Sequence, residues 1–298
     1  MLSALLAAPV PVPAAVLPST IHIEGTDLVF RAADGVTDDV EVSTVGSRWY
    51  ITDLHPILTG PGCEPVTPDG LRITCDLARF SRFVVRLGDG DDEFTPVDDF
   101  AGKPYFVYAG AGDDTIRLGL VGSEAEGEDG NDTIIGSPGA DSIRGGGGDD
   151  SVRSLGGGDK VGGGPGANWI DAGSGDDDVS GGDGVDLIAA GFGNDRVWPF
   201  AGNDIVSGGD GNDRIEVYRY DGLPGDDYLS GDLGSDKIFG GRGNERILGG
   251  PGIDELHGGP GDDSLDGNEG ADKLYGEDGE DSCSRDAADT VRETCELG

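Results

Sequence analysis

Seventeen acidic side chains hold one place in a nine-residue period, and no other feature of this sequence is as well spaced for chemistry. From Asp114 they recur at Asp132, Asp141, Asp150, Asp159, Asp177, Asp186, Asp195, Asp204 and Asp213. After a five-residue slip they continue at Asp227, Asp236, Glu245, Asp254, Asp263, Asp272 and Asp281. Ser123 and Asn168 fill the place in the two frames without an acid. Of the 19 frames, 18 have Gly two residues before that place (Val121 is the exception) and 17 have Val, Ile or Leu two residues after it (not Ala125 or Cys283). Agreement in three columns excludes chance. Carboxylates set in Gly-rich backbone with exposed carbonyls form an all-oxygen donor set for a hard divalent cation, and Ca²⁺ tolerates irregular geometry that Mg²⁺ does not.

The elements that must position these acids follow from the same period. The unit reads GGxGxDxUx, as in Gly249-Gly250-Pro251-Gly252-Ile253-Asp254-Glu255-Leu256-His257. Its Gly-rich part can turn through backbone angles closed to other residues, and the part around the aliphatic residue can make a short strand. One repeat is then half a coil and two repeats close one. Alternate strands stack into two parallel sheets, with Ile134, Ile143, Val152 and Val161 facing across a thin core. Stacking sets Asp132 near Asp150 and Asp141 near Asp159 at about the 4.8 Å sheet spacing, where bare carboxylates repel and a cation between them relieves the repulsion. The slip before Asp227 is expected to extrude Val217-Tyr218-Arg219-Tyr220-Asp221 as an edge loop, with Arg219 open to trypsin.

On these motifs the chain resembles the haemolysin-type calcium-binding (RTX) repeat proteins, in particular secreted actinobacterial proteins made of little besides such repeats. The resemblance is specific over about residues 110–285 and weaker at Gly88-Asp89-Gly90-Asp91-Asp92. It implies an all-β, parallel β-roll solenoid with several Ca²⁺ ions between equivalent turns of successive coils. The ligands it implies are the 17 acids named above together with turn carbonyls. Too few large apolar side chains are available to fold the roll alone, so metal binding and folding should form one equilibrium.

Composition narrows the alternatives. With 59 Asp and Glu against 20 Lys and Arg, the net charge is −39, which excludes a nucleic-acid or anionic-membrane partner. Disorder, the other reading of such a composition, is disfavoured by the strict period. No EF-hand spacing occurs, and the glycines run into Asp where a phosphate loop needs Lys. HExxH, GxSxG and SxxK are absent, and about 90 residues before Gly110 are short for a catalytic domain, so no enzyme is expected.

Four domains or segments are expected. Residues 1–15 resemble the end of a secretory signal peptide without its basic flank, the first Arg being Arg31, and prolines interrupt the apolar stretch that a membrane span would need. Residues 16–108 alternate as strands (Thr20–Glu24, Leu28–Ala32, Val40–Thr44, Arg48–Thr52, Leu71–Cys75, Phe83–Leu87) and should cap the roll, with one degenerate repeat. The β-roll occupies 109–285. Residues 286–298 form an end closed by a disulfide. Cys63 with Cys75 and Cys283 with Cys295 are equally spaced pairs that suggest two local disulfides and an oxidising compartment, whereas a zinc site would need tighter Cys/His clustering.

Outside the turns, Phe239, His257 and Tyr275 share an outward column beside Lys237, Glu255 and Lys273, while Trp169 and Trp198 are assigned to other columns. Cross-strand packing accounts for that column; a polysaccharide partner is the sharper reading. The expected function is calcium binding by a secreted monomer, and an extracellular adhesion or glycan-binding module is the alternative.

Overall fold

The computed structural model describes residues 18–297 apart from 34, 46–47, 77–79, 97–101, 218–224, 285–287 and 293–294. Strands account for all of its regular structure, with no helix among the described residues, and they form one sheet of 15 strands and one of 16. From residue 105 onward, successive strands alternate between the sheets. Each pairs in parallel with the strand one coil further on, Ile134 opposite Val152 and Ile143 opposite Val161, 18 residues apart. The fold is a β-solenoid of the expected kind. Ile116, Ile134, Val152 and Ile170 from one sheet meet Ala125, Ile143, Val161 and Val179 from the other, all buried. Ala125 and Cys283, the two frames without a branched aliphatic residue, still direct their side chains into this core.

Among the described residues nine strands build the N-terminal end: β1 (Ser19–Glu24), β2 (Asp27–Arg31), β3 (Asp39–Val45), β4 (Arg48–Thr52), β5 (Ile57–Thr59), β6 (Cys63–Pro65), β7 (Arg72–Asp76), β8 (Arg82–Asp89) and β9 (Glu93–Pro96). The parallel stack runs back through this region, because β8 and β9 pair in parallel with β2 and β3. Antiparallel pairing of β1 with β2, β3 with β4, β4 with β7 and β6 with β7 then turns the sheets over at the end of the stack. The core thickens accordingly. Trp49 sits edge-on to Phe83 (5.2 Å between centroids) and Phe80 (5.5 Å), replacing the single aliphatic rows of the roll.

Both cysteine pairs are disulfides. Cys63 and Cys75 face each other across the antiparallel β6–β7 pair, and Cys283, from its buried core position, joins Cys295 on the neighbouring strand of the same sheet.

The slip before Asp227 appears as a change of register. Ile205 pairs with Tyr228 and Arg214 with Lys237, each 23 residues apart instead of 18, so both sheets absorb the same five extra residues. The expected loop needs one correction. Val217 is buried and donates its backbone N–H to the Phe239 carbonyl (3.0 Å), so it completes its coil at a place where most frames have Gly. Tyr218, Arg219, Tyr220 and Asp221 lie outside the described residues.

Candidate metal centre

The acids at the sixth position form two inner ladders, one along each side of the roll. On one side the backbone N–H of Asp114 donates to Asp132 Oδ1, that of Asp132 to Asp150 Oδ1 and that of Asp186 to Asp204 Oδ1 (2.8–2.9 Å). On the other side Asp141 donates to Asp159, Asp159 to Asp177, and Asp177 to Asp195 in the same way (2.7–2.8 Å). One oxygen of each Asp in these ladders is therefore spent on satisfying the backbone of the coil before it, and Glu245 is the exception.

The second oxygen has no such use. Oδ2 of Asp114, Asp132, Asp150, Asp159, Asp177, Asp186, Asp195, Asp204, Asp213, Asp227, Asp236, Asp254 and Asp263 is buried without a hydrogen-bond partner, as are both carboxylate oxygens of Glu245. Glycine at the first position makes room for it. A Cβ at Gly127 would collide with Asp132 Oδ2, and one at Gly145 with Asp150 Oδ2. Burial with no donor raises the carboxyl pKa: Asp114, Asp177, Asp204 and Asp236 are pushed up to about 7, and Asp150, Asp213, Asp227 and Asp254 to about 6. Loss of solvation is the main cause, neighbouring acids add to it, and the backbone N–H bond only partly offsets it. Glu245 is raised first by loss of solvation, and its carboxyl stands close enough to that of Asp263 to share a proton, which raises it further together with the Asp263 and Asp227 charges, with no backbone N–H bond to offset them.

Three turns differ, and each supplies its own hydrogen donor. Asn168 keeps the ladder, its Oδ1 accepting from Asp150 N–H (3.1 Å), but its Nδ2 donates to the carbonyls of Gly164 (3.0 Å) and Gly166 (3.3 Å). Ser123 Oγ accepts from Tyr105 N–H (3.1 Å) and donates to the Val121 carbonyl (2.9 Å). Asp141 keeps a carboxylate, but its Oδ2 accepts from Ser137 N–H (2.6 Å). Asn168 identifies what the turn asks for, namely something positive directed at carbonyls of the second and fourth positions. An ionised Asp at that place adds another acceptor, and only a proton or a cation balances the set. Carboxylate and carbonyl oxygens in this arrangement fit a hard divalent ion.

Asn168→Asp is therefore expected to act in opposite directions. With saturating Ca²⁺ it should add one bound ion and raise the melting temperature by a few degrees, since about 1 kcal/mol shifts a domain of this size by roughly 2–4 °C. In chelator it should lower the melting temperature. Differential scanning calorimetry in both conditions reads the sign.

Sequence reasoning missed a second ladder at the fifth position. There Asn131 N–H donates to Asp113 Oδ1, Asp149 N–H to Asn131 Oδ1 and Ala167 N–H to Asp149 Oδ1 (2.7–2.8 Å). It is exposed and runs opposite to the inner ladder, so each turn is tied to both neighbours. The Asp-Asp and Asn-Asp doublets of the sequence were its signal.

On the outer face, His257 stacks between Phe239 (4.7 Å) and Tyr275 (4.5 Å), and Glu255 pairs with Lys237 (3.2 Å) and Lys273 (3.5 Å). Trp198 belongs to this same column, contrary to the sequence assignment. Its neighbour Val197 pairs with Ile215, which places Trp198 beside Glu216, and Glu216 pairs with Phe239. Trp198 and Phe200 wall a groove of about 610 Å³ that opens over Gly162. Among the described residues no helix is long and apolar enough to cross a membrane.

Comparison with known proteins matches this geometry. No curated protein matches the chain. The family described as the RTX calcium-binding nonapeptide repeat (4 copies) matches at residues 106–120, 126–161, 162–197, 201–216, 221–256 and 248–283. These segments cover more than half of the sequence and coincide with the stacked coils, so the chain belongs to the RTX calcium-binding repeat family.

Proposed function

We propose that this protein is a secreted, non-enzymatic and monomeric β-roll that takes up Ca²⁺ in its stacked turns and folds as it does so. Asp114, Asp132, Asp150, Asp159, Asp177, Asp186, Asp195, Asp204, Asp213, Asp227, Asp236, Glu245, Asp254, Asp263, Asp272 and Asp281 supply the carboxylate ligands, with turn carbonyls completing each site. Asp141, served by Ser137, has the weakest claim. The observation that carries this reading is the amide of Asn168, which donates to turn carbonyls where the neighbouring frames place a carboxyl group with no hydrogen to give when ionised. Equilibrium dialysis should find many Ca²⁺ per chain, bound cooperatively, with Mg²⁺ unable to replace them at equal concentration. A stoichiometry of one or two would overturn the assignment of the turns.

The two disulfides support an extracellular setting. A second reading, in which the ions stiffen a rod that presents a glycan-binding face, is favoured by the Trp198 groove and by the aromatic column that Trp198 shares. Isotherms with cell-wall polysaccharide on wild type and Trp198→Ala distinguish the two.

A further inference from the structure

The inner ladder has an N-terminal end, and the side chains collected there differ from those of every repeat. Asp38 is its first described acid: its N–H donates to Asp92 Oδ1 (2.7 Å), and Asp92 N–H donates to Asp114 Oδ1 (2.7 Å). The partner of Asp38 Oδ1 comes instead from the cap. Strands β3 and β4 pair with Glu41 opposite Thr52, and continuing that register by three residues sets Asp38 across from His55. His55 Nδ1 lies 2.8 Å from Asp38 Oδ1.

Asp53 enters from the same turn, with one oxygen, Oδ2, held by the Ser19 hydroxyl (2.7 Å). Two acceptors remain. No N–H or hydroxyl donor reaches Asp38 Oδ2 or Asp53 Oδ1, in residues that are 0% and 3% exposed, and the two carboxyl groups stand close enough to share a proton, so only a proton or a cation can join them. One ligand atom from each of Asp38, Asp53 and His55 lies within 4.8 Å of the other two. The His55 side chain is 32% exposed, which gives solvent, and an ion, a way in.

We propose that Asp38, Asp53 and His55 form a mononuclear site for a first-row divalent cation of the Zn²⁺ class, separate from the calcium turns. One imidazole nitrogen with two carboxylate oxygens is a donor set that suits Zn²⁺, whereas Ca²⁺ prefers oxygen alone. Two carboxylates balance the charge of one divalent ion, and three protein ligands leave one position for water. The ion would tie the β3–β4 hairpin and the start of β1, through Ser19, to the first coil of the stack. The inference does not rest on calcium occupying the turns, because the two donor sets differ.

The test uses the full chain with Ca²⁺ in millimolar excess to fill all-oxygen sites, and Co²⁺ as the coloured stand-in for Zn²⁺. One equivalent of Co²⁺ should develop visible d–d absorption that equimolar Zn²⁺ removes and further Ca²⁺ does not. His55→Gln should weaken binding on the order of 100-fold, while His22→Gln and His257→Gln should bind like wild type. Both control histidines also sit beside carboxylates, so they test site specificity and not the general acidity of the chain. Wild-type protein labelled with ¹⁵N-histidine gives a second readout that needs no variant: Zn²⁺ should shift the His55 ring nitrogens alone. Absent colour at one equivalent, displacement by Ca²⁺, colour unchanged in His55→Gln, or shifts at other histidines would each overturn the site.

Discussion

In excess chelator at pH 7.5 the repeat region is expected to lose most of its β-sheet circular dichroism, and acidifying the same sample to about pH 5 is expected to restore part of it. The sign follows from the buried carboxyls. Asp114, Asp177, Asp204 and Asp236 are raised from 3.8 to about 7, so the folded chain holds their protons more tightly than the unfolded chain does. Without metal, their contribution to stability is fully present below about pH 4 and is lost as pH rises through 6 to 7. A carboxyl raised by one unit carries about 1.4 kcal/mol, and a column of such groups outweighs the roughly 5–15 kcal/mol by which domains are stable. Calcium reverses the slope, because the ion binds the ionised form and competes with protons. The loaded protein should therefore melt lower as pH falls through 7 to 5, while the metal-free protein gains order. Melting curves from pH 4.5 to 8, with Ca²⁺ and with EGTA, should run in opposite directions. An unchanged β spectrum in EGTA at pH 7.5 would falsify the coupling of folding to metal.

A single methyl group in a turn should also have a large effect, provided it is placed where coils touch. Gly175 has φ +133°, and a Cβ there would land on the carbonyl oxygen of Gly157 in the preceding coil. That atom is backbone fixed by the sheet spacing, so it cannot move without opening the stack. Gly175→Ala is expected to destabilise the calcium-loaded protein by about 2–4 kcal/mol through clash and left-handed strain. Gly147 is the internal control. It lies outside the left-handed region, and its added Cβ would meet only Asp129 Oδ1, at 3.7 Å. Gly147→Ala should stay within about 1 kcal/mol of wild type. Guanidinium denaturation in excess Ca²⁺ reads both, and equal effects would mean that the coils are not in the contact described.

The repeat itself was legible in the sequence because three constraints share one period: Gly where a Cβ meets backbone, an acid where a backbone N–H needs an acceptor, and an aliphatic residue where the sheets face each other. What escaped was whatever that period does not encode. Asp38 continues the inner ladder, yet Val36 stands where the Gly would be, and the 54 residues from Asp38 to Asp92 hide the relation. Trp198 was placed in the wrong column because the five-residue insertion offsets the numbering between coils that are adjacent in space. Ser137 and Asn168 change the chemistry of their turns through donors, and a pattern of side-chain types does not register whether an oxygen already has a partner. The site at His55 was beyond reach for a similar reason: it depends on the register of the β3–β4 hairpin, where no repeat sets the spacing.

The matching 23-residue offsets on the two sheets carry a consequence for how such a chain can change in length. Five residues added between coils leave every later strand on its original sheet, so the insertion is silent to the rest of the rod. Removing a single nonapeptide is different. Every later strand would transfer to the opposite sheet, the Phe239, His257 and Tyr275 column would move to the other face, and Cys283 would be carried across with them. Gain or loss of a whole coil restores the original faces. Growth of this rod by duplication is thereby quantised: whole coils and side loops are tolerated, and half coils invert everything downstream.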